Sequence, residues 1–196
     1  MLATFTDRQF QIIEAAGRIL TASGVSGLTI KNLAKEMQFS ESAIYRHFES
    51  KEAIIIAMLE YLAANIDSRL ETQVSALLTP EENFIALFQN QFSFFKNNPH
   101  FVVAVFSDCL LEERQQVNAT ILKVMGMKSK HLMPIIIAGQ QKGVFNNAIS
   151  GEAMLHIVIG AFRLQMFQWR VANFEFDIEK TGNNLIQSIL TIIQSK

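Results

Sequence analysis

Apolar positions recur at helical spacing along nearly the whole of this chain. Ile30, Leu33, Ala34 and Met37 stand at i, i+3, i+4 and i+7, which is one buried stripe on a short helix. Thr29 precedes the stripe as an N-cap, and the chain turns at Gln38 and Phe39. Ser40 caps a second short helix whose inward residues are Ile44 and Phe48. Between those anchors Ser42, Ala43, Tyr45, Arg46 and His47 make a surface of small, polar and cationic groups. Two short helices across a tight turn, the second with such a face, form the pattern of a helix-turn-helix whose second helix enters a DNA major groove.

The pattern continues on both sides. Thr6 and Gln9 read as a capping box before a helix with Phe10, Ile13, Ala16 and Leu20 inward. Ser50 caps a helix from Lys51 to about Glu71, and no Gly- or Pro-rich linker separates it from the rest, so a continuous helix serves as linker. Thr79-Pro80-Glu81-Glu82 is a helix start with cap, first-turn proline and third-position glutamate. Asn98-Pro99 starts another, running to about Glu113. A longer helix spans roughly 116–142, where Pro134 is expected to kink or interrupt it and Gly143 to end it. Ser150 opens a helix to about Asn173, and Asp177 opens the last, to Gln194. No internal repeat, alternating strand pattern or low-complexity tail is present. The expected fold class is all-α, with about nine helices.

Two late helices carry more apolar surface than one core face needs. Met154, Leu155, Ile157, Val158, Ile159, Ala161 and Phe162 leave hardly any polar face over two turns. A helix apolar nearly all round must be covered on more than one side. The final helix adds Leu185, Ile186, Ile189, Leu190, Ile192 and Ile193. The pair predicts a four-helix seam between two subunits; a deeply buried central pair in a monomer is the alternative.

Composition narrows the function classes. Hydrophobic residues are 49% and charged residues 18% of 196, with 16 Phe and 8 Met, enough for a large core. Net charge is −1, and residues 1–51 hold six basic against five acidic side chains, so bulk charge makes a weak footprint for DNA. Affinity for a polyanion must come from where the cations sit. The single cysteine, Cys109, excludes an intramolecular disulfide and a thiol-rich metal site, and its apolar flanks suit a packed, inert thiol. No signal peptide or membrane span is visible, so a soluble cytoplasmic protein is expected.

The stretch from about Thr6 to Leu59 resembles the DNA-binding domain of the TetR/AcrR family of bacterial transcriptional regulators. The resemblance rests on the Ser23-Gly24-Val25 end of the first helix, the Leu28-Thr29-Ile30 entry, Leu33-Ala34, Ser40, Ala43-Ile44-Tyr45, and the run Tyr45-Arg46-His47-Phe48 followed by Ser50-Lys51-Glu52. It implies a three-helix head at residues 1–50, with the motif at about 28–47. It also implies a helical ligand-binding and dimerisation part at 51–196, pairing through the last two helices. Gln38 stands where that family often has glycine in left-handed geometry, and Glu41 where a basic residue is frequent.

Spacing and resemblance agree on roles for DNA. Ser42, Ala43 and Arg46 face base edges, with Arg46 able to pair with guanine. Thr29, Ser40, Tyr45, His47 and Lys51 hold the helix starts and contact phosphates. For a small apolar or amphipathic ligand, Phe101, Phe106, Cys109, Met125, Phe162, Gln165, Met166 and Trp169 are the candidate pocket residues; ordinary core packing is the competing reading. Arg163 on its apolar helix needs a partner, which could be Asp108 or Glu112, a dimer contact or an acidic ligand head. His47, His100, His131 and His156 lack metal-ligand spacing, and no nucleophile–base pair or phosphate-cradling Gly loop is readable, so no metal, cofactor or enzyme activity is expected. The expected function is a homodimeric DNA-binding regulator, a repressor released from its operator by a small ligand. A helical binding protein or scaffold that no longer reads DNA sequence is the alternative.

Overall fold

The computed structural model describes residues 5–106 and 115–195. Among them are nine helices: α1 Asp7–Gly27, α2 Ile30–Met37, α3 Glu41–Tyr45, α4 Lys51–Gln73, α5 Pro80–Asn97, α6 Pro99–Val105, α7 Gln115–Gln141, α8 Gly151–Val171 and α9 Ile178–Ile193. The only extended pairing among the described residues is an isolated bridge between Phe145 and Gln194. The starts follow the capping chemistry. Thr6 and Thr79 form complete capping boxes with Gln9 and Glu82. Thr29, Ser40, Ser150 and Asp177 each accept a first-turn N–H.

Contacts divide the chain into two compact units, Met1–Asn65 with Pro99–Met125, and Ile66–Asn98 with Gly126–Lys196. The boundary falls inside α4 and again inside α7. In the first unit Ile12, Ile13, Ala16 and Leu20 of α1 are buried with Leu33 of α2, Ile44 of α3 and Ile54, Ile55 and Met58 of α4. An aromatic column ties these helices together. Phe10 meets Tyr61 edge-on at 5.4 Å between centroids, Tyr61 stacks on Phe101 at 6.1 Å, and Phe101 lies against His100 at 4.2 Å. The His100 ring sits over Gly17, where a Cβ would come within 2.9 Å of it, so α1 and α6 meet at a position only glycine fits without displacement.

In the second unit the inner face of α5 presents Phe84, Phe88, Phe92 and Phe95, and the last three of these surround Phe162 of α8 at 5.3–6.3 Å. Gly182 lets α9 close on α5, since a Cβ there would stand 2.6 Å from the Phe92 ring. Asp67 of α4 binds Lys130 at 2.6 Å and His131 at 2.7 Å, which fastens α4 to α7.

Two expectations need correction. Pro134 does not interrupt α7, which runs through it. Both Pro134 and Lys130, whose carbonyl loses its helical partner, are exposed, so water can take the freed acceptor. The second helix of the motif is shorter than its inward pair Ile44 and Phe48 suggests: α3 ends at Tyr45, and Arg46 and His47 lie in the closing turn, where the His47 N–H bonds the Ile44 carbonyl three residues back at 2.9 Å. The helix expected from Asn98 to Glu113 is described only as far as Val105, its remainder lying outside the described residues.

Candidate functional site

The first unit sets out the motif residues from a rigid base. Ile44 is fully buried and Phe48 nearly so, which fixes the inner side of α3. Ser42, Tyr45 and Arg46 are exposed, Tyr45 to 51%, and Ala43 and His47 are partly exposed. The exposed Ser42, Tyr45 and Arg46 thus form an outward face above the two buried apolar anchors. The turn before it holds Gln38 at φ 57°, ψ 40°, in the left-handed region, with its N–H bonded to Lys35 and Ala34 carbonyls. Two contacts from α1 brace the motif. The Arg8 guanidinium lies 4.9 Å from the Phe39 ring, and the Gln9 amide donates to the His47 carbonyl at 3.4 Å.

Thr29 and Ser40 have double duty. The Thr29 hydroxyl accepts the Asn32 N–H at 3.1 Å, and the Ser40 hydroxyl accepts the Ala43 N–H at 3.2 Å while lying 2.9 Å from the Ser42 hydroxyl. Each oxygen can still donate its own proton outward, to a phosphate for instance. Lys51 begins α4, where the Ser50 hydroxyl accepts the Ala53 N–H at 3.1 Å. Of the eight residues singled out, Ser42, Ala43 and Tyr45 lie on α3, Arg46 and His47 in the turn that closes it, Thr29 and Ser40 at the two helix caps, and Lys51 at the start of α4.

The ligand-pocket candidates divide between the units. Phe101 and Phe106 are buried in the first unit and Met125 is partly buried there. Phe162, Met166 and Trp169 are buried in the second, on the inner face of α8. Gln165 donates to the Thr181 hydroxyl at 3.2 Å, and the Trp169 indole N–H donates to the Phe176 carbonyl at 2.9 Å, so these two tie α8 to α9 and to the segment leading into it. Cys109, and with it Asp108 and Glu112, lies outside the described residues. His156 is exposed and bonded to the Glu152 carbonyl of its own helix.

Sequence reasoning passed over Lys128, Arg69 and Gln91. Lys128 lies on the inward stripe of α7, between Val124 and Leu132, with its ammonium 3.9 Å from the Phe162 centroid and 5.1 Å from that of Phe95. Burial, and after it the charges of Arg69 and Arg163, push its pKa down to about 7. Gln91 is fully buried on α5 with neither side-chain polar atom hydrogen-bonded. Among the described residues no group of His, Cys, Asp and Glu is placed to hold a metal, and no helix is long and apolar enough to cross a membrane.

Residues 12–58 match the family model described as bacterial regulatory proteins, tetR family. The likeness to the TetR family thus lies in the N-terminal segment that holds the motif. Over 192 residues it is 19% identical to the fatty acid metabolism regulator protein of Bacillus subtilis (strain 168), covering 96% of this chain and 97% of that one. It is 23% identical over 191 residues to the probable acrEF/envCD operon repressor of Escherichia coli (strain K12), covering 92% and 84%. Its fold is similar to the crystal structure of the regulator FadR from Bacillus subtilis in complex with stearoyl-CoA, at TM-score 0.82 and 18% identity, covering 94% of this chain and 98% of that one. The face carrying Tyr45 and Arg46 lies inside the matched segment.

Proposed function

We propose that this protein is a homodimeric repressor that leaves its operator when a small amphipathic ligand binds its C-terminal part. In this reading residues 1–50 are the DNA-binding head and 51–196 the ligand-binding and dimerisation part, working in the bacterial cytoplasm. Arg46 and Ser42 read base edges with Ala43 allowing close approach, while Thr29, Ser40, Tyr45, His47 and Lys51 hold phosphates. The observation that carries the DNA role is the outward face of Ser42, Tyr45 and Arg46 above the buried anchors Ile44 and Phe48.

Dimerisation is supported by α8. Its inner side is buried, yet Ile157, Leu164, Phe167 and Val171 are exposed, and with Gly160 they recur every three or four residues along one stripe. Nothing lies within 4 Å of where a Gly160 Cβ would be, so a second helix can approach closely there. Ile192 of α9 is 71% exposed and extends the apolar surface. A second copy is the occupant, because two heads on one duplex need a symmetric pair spaced about 34 Å apart. The ligand class is supported by the stearoyl-CoA named with the structurally similar FadR and by the Phe-rich second unit. A ligand of this kind shifts the equilibrium only as far as it binds the released conformer more tightly.

Selection of duplexes from a random pool tests the reading. A palindromic site enriched by the wild-type chain, and released on adding a long-chain acyl compound, is the expected result. Enrichment of no sequence would favour the scaffold alternative, which the near balance of six basic against five acidic residues over 1–51 also suits.

A further inference from the structure

Among the described residues no carboxylate is placed to pair with the Lys128 ammonium. Lys128 occupies an inward position of α7, and its ammonium faces the rings of Phe162 on α8 and Phe95 on α5. The charged groups acting on it are themselves cations, Arg69 from α4 and Arg163 from α8. Arg69 lies over the ring of Phe94, 3.9 Å from its centroid, and Phe94 packs edge-on against Phe95 at 5.5 Å, so two cationic side chains bracket one aromatic pair. Gln91, one helical turn before Phe95 on the same face of α5, is fully buried with both amide atoms unbonded. Among the described residues, an ammonium without an anion lies near the Phe95 ring and an unsatisfied amide stands one turn from it, which marks a site for a polar group that comes from outside.

We propose that Lys128, with Gln91 beside it, binds the anionic head of an amphipathic small molecule, a carboxylate or a phosphate, within the second unit. This rests on the ligand-responsive reading and assigns it a head-group site. An anion arriving at Lys128 pairs with its ammonium and accepts the amide N–H of Gln91, beside the rings of Phe95 and Phe162. Because burial holds the free amine near neutrality, binding above pH 7 draws a proton from solvent onto Lys128.

The test is calorimetry on the full chain, wild type and Lys128→Met, with dodecanoate, dodecyl phosphate, dodecanol and inorganic phosphate as probes. Titrations run at pH 8 in buffers of different ionisation enthalpy. The expected result is that one or both charged amphiphiles bind wild type at least roughly tenfold more tightly than dodecanol, with proton uptake. In Lys128→Met that preference and the uptake vanish while dodecanol affinity stays. Methionine keeps the apolar fit, so the variant remains folded, which a thermal melt checks. The same preference in both proteins overturns the head-group site and leaves a ligand-binding unit standing. Binding of neither amphiphile class to either protein overturns the site together with the ligand-responsive reading. Inorganic phosphate binding as tightly as dodecyl phosphate overturns the amphiphile and leaves a free anion as the source.

Discussion

His100 and Lys128 show how far burial moves single groups in this protein. His100, wedged between Gly17 and Phe101, has its pKa lowered from 6.5 to about 4 by burial. A histidine depressed on folding costs nothing above its unfolded value and most below its folded one, so stability falls as pH drops from about 6.5 through 4. The cost reaches up to about 3 kcal/mol. Urea midpoints at pH 7 and pH 5 should separate for wild type, and the separation should narrow in His100→Gln. Lys128 carries the same sign in a higher window. With its pKa lowered from 10.5 to about 7, its penalty is full below about pH 7 and disappears toward 10.5. Lys128→Met should therefore melt higher than wild type at pH 7, with the gain shrinking as pH rises to 10. A lower melting temperature at pH 7 would mean that the ammonium has a partner. Gly17→Ala should destabilise by about 1–3 kcal/mol, because its Cβ meets the His100 ring at 2.9 Å and α1 and α6 must part to admit it.

The helices explain why the sequence could be read so far and no further. Caps are local chemistry, so Thr6, Thr29, Ser40, Thr79, Ser150 and Asp177 announce their helices within one residue of where these begin. The motif face was legible because Ile44 and Phe48 fix which side of α3 is inward. Lys128 and Gln91 escaped notice because a lysine or glutamine on an apolar stripe reads as a break in it, and only the packing shows Gln91 buried and the Lys128 ammonium set against the Phe162 ring. The fate of Pro134 likewise depends on exposure, which spacing does not give. Gln38 was legible in part: a turn was plain, and the structure adds its left-handed φ of 57°. A side chain there costs about 1 kcal/mol that glycine avoids, partly offset by glycine's entropy. Gln38→Gly should thus be neutral to stabilising in a denaturant titration. Marked destabilisation would show that the turn is held by the glutamine side chain itself.

The proposed regulator depends on two copies acting as one reader. The exposed stripe of Ile157, Leu164, Phe167 and Val171 on α8 is the surface to break. Leu164→Glu buries a charge in any interface formed there, so sedimentation should show a dimer for wild type and a monomer for the variant, with the fold intact by circular dichroism. A dimer undisturbed by that charge would put the interface elsewhere. The DNA role is tested most directly by measuring affinity for the selected operator against salt for wild type, Arg46→Ala and Lys51→Ala. A linear fall of log affinity with log salt is expected for wild type. Arg46→Ala should weaken binding by about 1–3 kcal/mol and relax base preference at its contact. Lys51→Ala should weaken all sequences alike and reduce the salt slope by about 1. Affinities that neither change with these substitutions nor decline with salt would contradict a DNA-reading face at Tyr45 and Arg46.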